Sequence, residues 1–256
     1  MEITGLYLGG PTALFEWKGL RILTDPTFDP AGGSYTTGPV TLKKLAGPAL
    51  EPEALGRIDV VLLSHDHHSD NLDHAGRKLL AQAGWVLTTS EGAERLGGKT
   101  VGLAPWESVE IPASEGRKLR VTATPAQHGP ASLQRGAVIG FAAAFSGAPE
   151  ENFYFAGDTV WFEGVEEVAR RFKVRVAALN LGAARVPVVG DFPLTMTAED
   201  GVKTAQVFAR ATIVPLHFEG WAHFSESRDV ISKAFEEAGV NGRVQWLPAG
   251  VVEKIR

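Results

Sequence analysis

The stretch His65-Asp66-His67-His68-Ser69-Asp70 holds more metal-binding chemistry than any other part of this chain. Three of the seven histidines of the protein lie within it, together with two carboxylates. Imidazole nitrogens and carboxylate oxygens are common ligands of divalent metals, and so dense a run of them has few purely structural uses. The sequence therefore predicts a metal site here rather than an ordinary polar loop.

The segments on either side of this stretch predict a strand before it and a helix after it. Residues 58–63, Ile-Asp-Val-Val-Leu-Leu, form the short apolar run typical of a strand buried on both faces. From 71 to 81 the apolar residues recur at helical spacing, namely Leu72, Ala75, Leu79 and Leu80. Turns between a strand and a helix are where sheets flanked by helices usually place their sites.

Length and composition predict one domain that spans residues 1–256, because 44% of the residues are hydrophobic and no low-complexity segment interrupts the chain. The net charge of -5 excludes the basic patch of a nucleic-acid-binding surface. A small-molecule substrate is therefore the expected partner.

The chain has no apolar stretch long enough to predict membrane insertion, and its first residues lack the pattern of a signal peptide. These features predict a cytoplasmic protein. The absence of cysteine excludes disulfides and thiolate ligands, so nitrogen and oxygen must hold any metal.

Other candidate ligands also follow predicted strands. The apolar run 119–124 leads into a proline-flanked loop that carries His128, and the run 152–156 ends in Gly157-Asp158-Thr159. The run 212–216 leads directly to His217.

Near the N-terminus, residues 12–17 and 20–25 predict a hairpin that leaves Asp25 before Pro26. The Gly-, Pro-, Ser- and Thr-rich segment from 30 to 52 predicts a long loop near the site.

These residues resemble the metallo-β-lactamase-fold superfamily of metal-dependent hydrolases, whose hallmark loop is His-x-His-x-Asp-His after a strand. Read from His65, the loop places His65 and His67 correctly but puts Ser69 where the family has Asp. Read from His68, the run 68–71 reproduces His-x-Asp-His with Asn71 last and one residue inserted after His65. We favour the second frame because it keeps Asp70, and His67 remains the alternative ligand to His68.

The resemblance extends from Asp25 to His217 and implies a fold of the α/β class, a four-layer αββα sandwich with the metal site at one edge. The segment 216–221 is most similar to the cytoplasmic group that includes ascorbate-phosphate lactonase and the phospholipase D acting on N-acylethanolamine lipids.

The resemblance also implies one or two zinc ions, with manganese or iron as alternatives, and a metal-bound hydroxide as the nucleophile. The implied ligands of the first ion are His65, His68 and His128, with Asp158 bridging and with Asp70 and His217 on the second ion. Asn71 stands where the family supplies an imidazole, which predicts a weaker second site.

The implied reaction is hydrolysis of a small ester, lactone or phosphodiester, with Asp70 and His223 as candidate catalytic residues. His223 lies in the aromatic segment 218–224, which could line a pocket or simply pack on the domain edge. Arg185 could bind an anion or lie on the surface. Two other functions stay open: an iron-bearing redox metalloprotein, and a binding or regulatory protein whose metal site has lost activity.

Overall fold

The computed structural model describes residues 1–133 and 135–256. Strands and α-helices account for about half of them. The strands are, in chain order, β1 (Ile3–Gly9), β2 (Thr12–Trp17), β3 (Leu20–Thr24), β4 (Ser34–Thr37), β5 (Val40–Lys43), β6 (Val60–Leu62), β7 (Trp85–Thr89), β8 (Thr100–Leu103), β9 (Ser108–Pro112), β10 (Lys118–Pro125), β11 (Ile139–Phe145), β12 (Asn152–Phe155), β13 (Val174–Asn180), β14 (Thr212–Leu216) and β15 (Val252–Lys254). The helices are α1 (His74–Leu79), α2 (Ser90–Leu96), α3 (Glu163–Arg171), α4 (Ala198–Val207) and α5 (Arg228–Glu237).

The strands form two large mixed sheets and one separate hairpin. The first sheet has the order β15-β1-β2-β3-β6-β7-β8, antiparallel through β3 and parallel from β3 to β8. The second has the order β14-β13-β12-β11-β10-β9, with the β12, β13 and β14 pairs parallel and the rest antiparallel. Strands β4 and β5 pair only with each other.

Side chains alternate between the two faces of the first sheet, as the period of a strand requires. In β2, Phe15 and Trp17 point into the core between the sheets, whereas Leu14 points into a second core on the outer face. Across the sheets, Phe15 packs on Phe153 and Trp17 on Phe145, with ring centroids 4.7 and 4.8 Å apart. These contacts hold the two sheets face to face.

The helices cover the outer faces of the two sheets. Leu79 of α1 packs on the outer core of the first sheet. Val165 of α3, Ala205 of α4 and Phe235 of α5 pack against the second sheet. Helix, sheet, sheet and helix thus follow one another, which confirms the predicted αββα sandwich.

The predicted elements around the site agree with the structure in type, and several differ in extent. The helix predicted from residue 71 begins at His74, because the Asp73 carboxylate caps it by accepting from Gly76 N–H. The loop predicted for residues 30–52 contains the hairpin β4–β5, whose backbone pairing the Gly-rich composition did not indicate.

Candidate metal centre

His65 follows strand β6, and its ring is oriented by a chain of hydrogen bonds. The Ser64 hydroxyl donates to Asp25 Oδ2 over 2.7 Å, so its oxygen accepts from His65 Nδ1 at 2.9 Å. With the proton on Nδ1, the neutral imidazole carries its lone pair on Nε2. This buried nitrogen is therefore prepared to bind a cation.

His128 is held in the same tautomer by a different partner. Its Nδ1 lies 2.8 Å from the carbonyl oxygen of Leu194, which can only accept, so the lone pair of the neutral ring is again on Nε2. His68 Nδ1 lies between the two rings, 2.8 Å from His65 Nε2 and 3.2 Å from His128 Nε2. Three imidazole nitrogens thus converge on one point.

Asp158 completes this group from the second sheet. It follows β12 after Gly157, whose φ of +62° and contact with Ser64 would make any side chain there clash. Asp158 Oδ1 accepts from Asn180 Nδ2 at 2.7 Å, and Oδ2 lies 4.0 Å from His128 Nε2. Asn180, which the sequence analysis missed, therefore turns the free oxygen of Asp158 toward the imidazoles.

A second group of polar side chains lies beside the first. His217 Nδ1 is 3.0 Å from Asp158 Oδ1, while its buried Nε2 has no hydrogen-bond partner in residues 1–133 and 135–256 and lies 3.6 Å from Asp70 Oδ2. His223 Nε2 is 3.0 Å from the same oxygen of Asp70. Asp158 thus links the two groups, the arrangement expected of a bridging carboxylate.

Burial and neighbouring charges set the protonation of these groups. Burial lowers the pKa of His65 and His68 well below the ordinary value, and each is lowered further by the imidazoles around it. Burial alone would raise the pKa of Asp158, but the rings of His217 and His128 lower it well below its usual range. Neutral imidazoles and an ionised carboxylate therefore face one another.

These residues fit a divalent cation. A Zn–N distance of about 2.0–2.1 Å in tetrahedral geometry separates neighbouring ligand nitrogens by ~3.3 Å, close to the spacing of His68 from the other two rings. The donor atoms of His65, His128 and Asp158 all lie within 4.8 Å of one another. Two buried carboxylates without a lysine or arginine partner among the described residues add the negative charge that a cation would neutralise.

His67 gives a competing cluster with His65 and His68, because these three rings also lie within ligand distance of one another. His67 Nε2 lies 2.7 Å from the carbonyl oxygen of Arg135 and donates its proton there, which leaves the lone pair of the neutral ring on Nδ1. This cluster contains no carboxylate, whereas His68 Nδ1 lies 2.8 Å from His65 Nε2 and 3.2 Å from His128 Nε2, the two rings that group with Asp158. On this ground we take His68 rather than His67 as the candidate ligand.

Asn71 is turned toward Asp25. Its Nδ2 donates to Asp25 Oδ2 at 2.9 Å, and the Ser64 N–H donates to Asp25 Oδ1 at 2.6 Å. Burial raises the pKa of Asp25 to about 7, although these donors act to lower it. Asn71 thus supports the carboxylate that orients Ser64 and His65.

Loops from both halves of the chain cover the site. Val40 and Leu42 of the β4–β5 hairpin pack with the segment 184–194 and with Phe224 in a small apolar cluster separate from the main cores. Beside it, His223 lines an open cleft of about 360 Å³. Arg185 lines the same cleft, and its guanidinium lies 3.4 Å from the exposed Asp191.

The family model of the beta-lactamase superfamily domain matches residues 20–218. A metal-dependent hydrolase from Caldivirga maquilingensis is 27% identical over 251 residues, covering 96% of this chain and 95% of that protein. An N-acyl-phosphatidylethanolamine-hydrolyzing phospholipase D from Caenorhabditis elegans is 30% identical over 200 residues, covering 69% of this chain and 53% of that protein.

Among solved structures, an isothiocyanate hydrolase from Delia radicum gut bacteria superposes with a TM-score of 0.81 at 23% identity, covering 98% of each chain. The fold and the donor set thus define a metal-dependent hydrolase, as the sequence predicted. The chain belongs to the beta-lactamase superfamily.

Among the helices of residues 1–133 and 135–256, none has the length and apolarity needed to cross a bilayer.

Proposed function

We propose that this protein, as a single domain spanning residues 1–256, hydrolyses a small ester, lactone or phosphodiester with the help of zinc. The observation that carries the proposal is the convergence of His65 Nε2, His68 Nδ1 and His128 Nε2 beside Asp158. Two of these nitrogens are fixed as lone-pair donors by Ser64 and by the carbonyl of Leu194. Such pre-orientation is typical of metal ligands.

We assign His65, His68 and His128 to one ion, Asp70 and His217 to a second, and Asp158 to both. A bound zinc ion would lower the pKa of a coordinated water from ~15.7 to about 7 and so supply hydroxide at neutral pH. The unpaired Nε2 of His217, buried beside Asp70, supports the second position. Imidazole nitrogens and carboxylate oxygens are ligands that suit zinc, and they also bind manganese or iron.

His223 is the proposed proton donor to the leaving group. Its Nε2 is bonded to Asp70 Oδ2, while its Nδ1 is buried without a hydrogen-bond partner in the described protein. An imidazole whose one nitrogen is bonded to a carboxylate can carry a proton on the other, which is the arrangement that general acids use. The same contact holds Asp70 in place.

The names of the similar proteins range from an isothiocyanate hydrolase to a phospholipase D, which supports a screen of several bond types. The test is elemental analysis followed by assay of p-nitrophenyl acetate, a small lactone, bis(p-nitrophenyl) phosphate, a thioester and an amide. The variant Asp158→Asn should lose bound metal and activity together, because it removes the charge shared by both positions. Asp229→Asn, which makes the same change on the exposed face of α5, should retain both.

A metal-loaded wild type that cleaves none of these compounds would contradict the proposed reaction. Full metal content in Asp158→Asn would contradict the ligand assignment.

A further inference from the structure

Arg135 contacts His68, one of the proposed metal ligands, in a setting that the sequence did not predict. Its Nη2 is 3.2 Å from His68 Nε2, and its Nε is buried without a hydrogen-bond partner among the described residues. Among the described residues no carboxylate lies within ion-pair distance of its guanidinium, whereas Arg95 has Asp66 and Arg185 has Asp191. A half-buried cation without a counter-ion is costly, and it leaves strong donors unused.

The backbone of Arg135 is fixed independently of its side chain. Its carbonyl oxygen accepts from His67 Nε2 at 2.7 Å. The next residue, Gly136, has a φ of +90°, and a Cβ there would lie 2.8 Å from the His67 ring. His67 and Gly136 therefore fit together and hold the base of the Arg135 side chain at the rim of the site.

The hydrogen bond from Arg135 to His68 depends on the tautomer of His68. An arginine can only donate, so His68 Nε2 must accept, and the proton is then on Nδ1, facing His65 Nε2. If Nδ1 instead binds the proposed metal, the proton of the neutral ring moves to Nε2. Two donors then face each other, and the guanidinium is left with no acceptor.

The nearest carboxylates, those of Asp70 and Asp158, do not supply an acceptor for the Arg135 guanidinium. Burial lowers the pKa of the Arg135 guanidinium below its ordinary value, while the carboxylates of Asp70 and Asp158 act in the opposite direction. Both carboxylates are already in contact with imidazoles. A bound anion would supply the acceptor that the protein lacks.

We propose that Arg135 binds an anionic group of the substrate, a carboxylate or a phosphate, next to the bond that is cleaved, and that His67 is its positioning residue. The planar guanidinium presents paired N–H donors that match the two oxygens of such a group. The inference rests on the proposed hydrolytic function and adds the substrate class: an anionic ester, lactone or phosphodiester.

The test measures binding of small probes to the zinc-loaded protein by calorimetry, after zinc content has been equalised by elemental analysis. Inorganic phosphate and acetate are the two anionic probes, in separate arms, and imidazole is a neutral probe that binds a metal without needing an arginine. In Arg135→Gln, affinity for the anion that the wild type binds should fall by roughly 10- to 100-fold, as expected for a charge-assisted pair. Imidazole affinity should stay within twofold.

Variants at three further positions test whether a loss of anion binding comes from Arg135 itself. Arg117→Gln removes a surface arginine that pairs with Glu115 and controls for the loss of one positive charge. Arg185→Gln tests the rival arginine of the cleft. His67→Ala should weaken anion binding with zinc content unchanged, and His67→Gln, which keeps an N–H donor, should restore part of it.

The proposal is overturned if Arg135→Gln weakens phosphate, acetate and imidazole equally, because Arg135 would then act only on the metal site. It is also overturned if the wild type binds neither anion, or if Arg185→Gln carries the whole loss. Anion binding needs no turnover, so a failure of the proposed hydrolysis in the substrate screen would be a separate result.

Discussion

At the scale of single residues, the two adjacent histidines of the metal-binding stretch have different surroundings. His68 Nδ1 faces His65 and His128, whereas His67 Nε2 is bonded to the carbonyl of Arg135. We therefore expect His68→Ala to lower zinc affinity by at least the ~10–100-fold that even outer partners of a metal contribute. His67→Ala should leave zinc affinity nearly unchanged.

Competition with a chelator of known affinity measures both variants, and circular dichroism checks that each is folded. A greater loss of zinc in the His67 variant would show that His67 is the ligand and that the motif must be read from His65.

The sequence was sufficient to find residues that stand at strand ends. Asp158 and His217 follow apolar runs whose pattern marks where a strand stops, and the family resemblance implied that they meet at one edge. Asn71 was different, because its position in the motif indicated only a missing imidazole, whereas in the structure its Nδ2 donates to Asp25. Side-chain direction depends on a partner 46 positions away, which no local pattern contains.

Arg135 escaped prediction for the same kind of reason. It lies in an irregular loop, and its significance comes from missing partners and from the contact of His67 with its backbone. An unpaired donor is a property of the folded environment and leaves no signature in spacing or composition.

At the scale of elements, helix α2 holds the metal-binding loop through one ion pair. Arg95 Nε and Nη2 donate to the two oxygens of the buried Asp66, over 2.9 and 2.6 Å. Arg95→Met should lower the free energy of unfolding by about 1–2 kcal/mol, allowing for solvent around the partly exposed guanidinium. Urea unfolding of the metal-free protein at pH 7 measures the loss, with Arg117→Met as the surface control.

The ion pair between Arg95 and Asp66 also predicts that its contribution to the free energy of unfolding depends on pH. Burial alone would raise the pKa of Asp66, but the nearby His67 ring, whose Nδ1 lies 3.9 Å from Oδ1, and the hydrogen bonds and positive charge of Arg95 lower it well below the ordinary value. A carboxyl whose pKa is lowered by folding stabilises the protein above about pH 4, and this contribution is lost as the pH falls below that value. The stability difference between wild type and Arg95→Met should therefore shrink toward pH 3; a constant difference would show that Asp66 does not carry it.

At the scale of the whole molecule, the proposed ligands come from both sheets. His65 and His68 follow β6 of the first sheet, and Asp158 and His217 follow β12 and β14 of the second. Zinc that binds the folded state alone should raise the free energy of unfolding by about 4 kcal/mol when free zinc is 1,000 times the dissociation constant. For a chain of this length, that corresponds to a rise in Tm of roughly 8–16 °C.

Thermal melts with zinc, and with zinc plus excess chelator, measure this shift. An unchanged Tm would contradict binding across the two sheets, and Asp158→Asn should give the smaller shift of a protein that has lost the shared carboxylate.

The packing of Phe15 on Phe153 and of Trp17 on Phe145 joins the sheets along their apolar faces, away from the edge that carries the imidazoles. Buried polar side chains, among them His65, Asp158 and His217, occupy that edge. Local opening of the sandwich should therefore begin there, and amide protons near Leu63 and Leu216 should exchange with solvent together rather than separately. A cation bound by ligands from both sheets would oppose this local opening. Deuterium uptake near both strand ends would then slow together as more of the protein binds the cation.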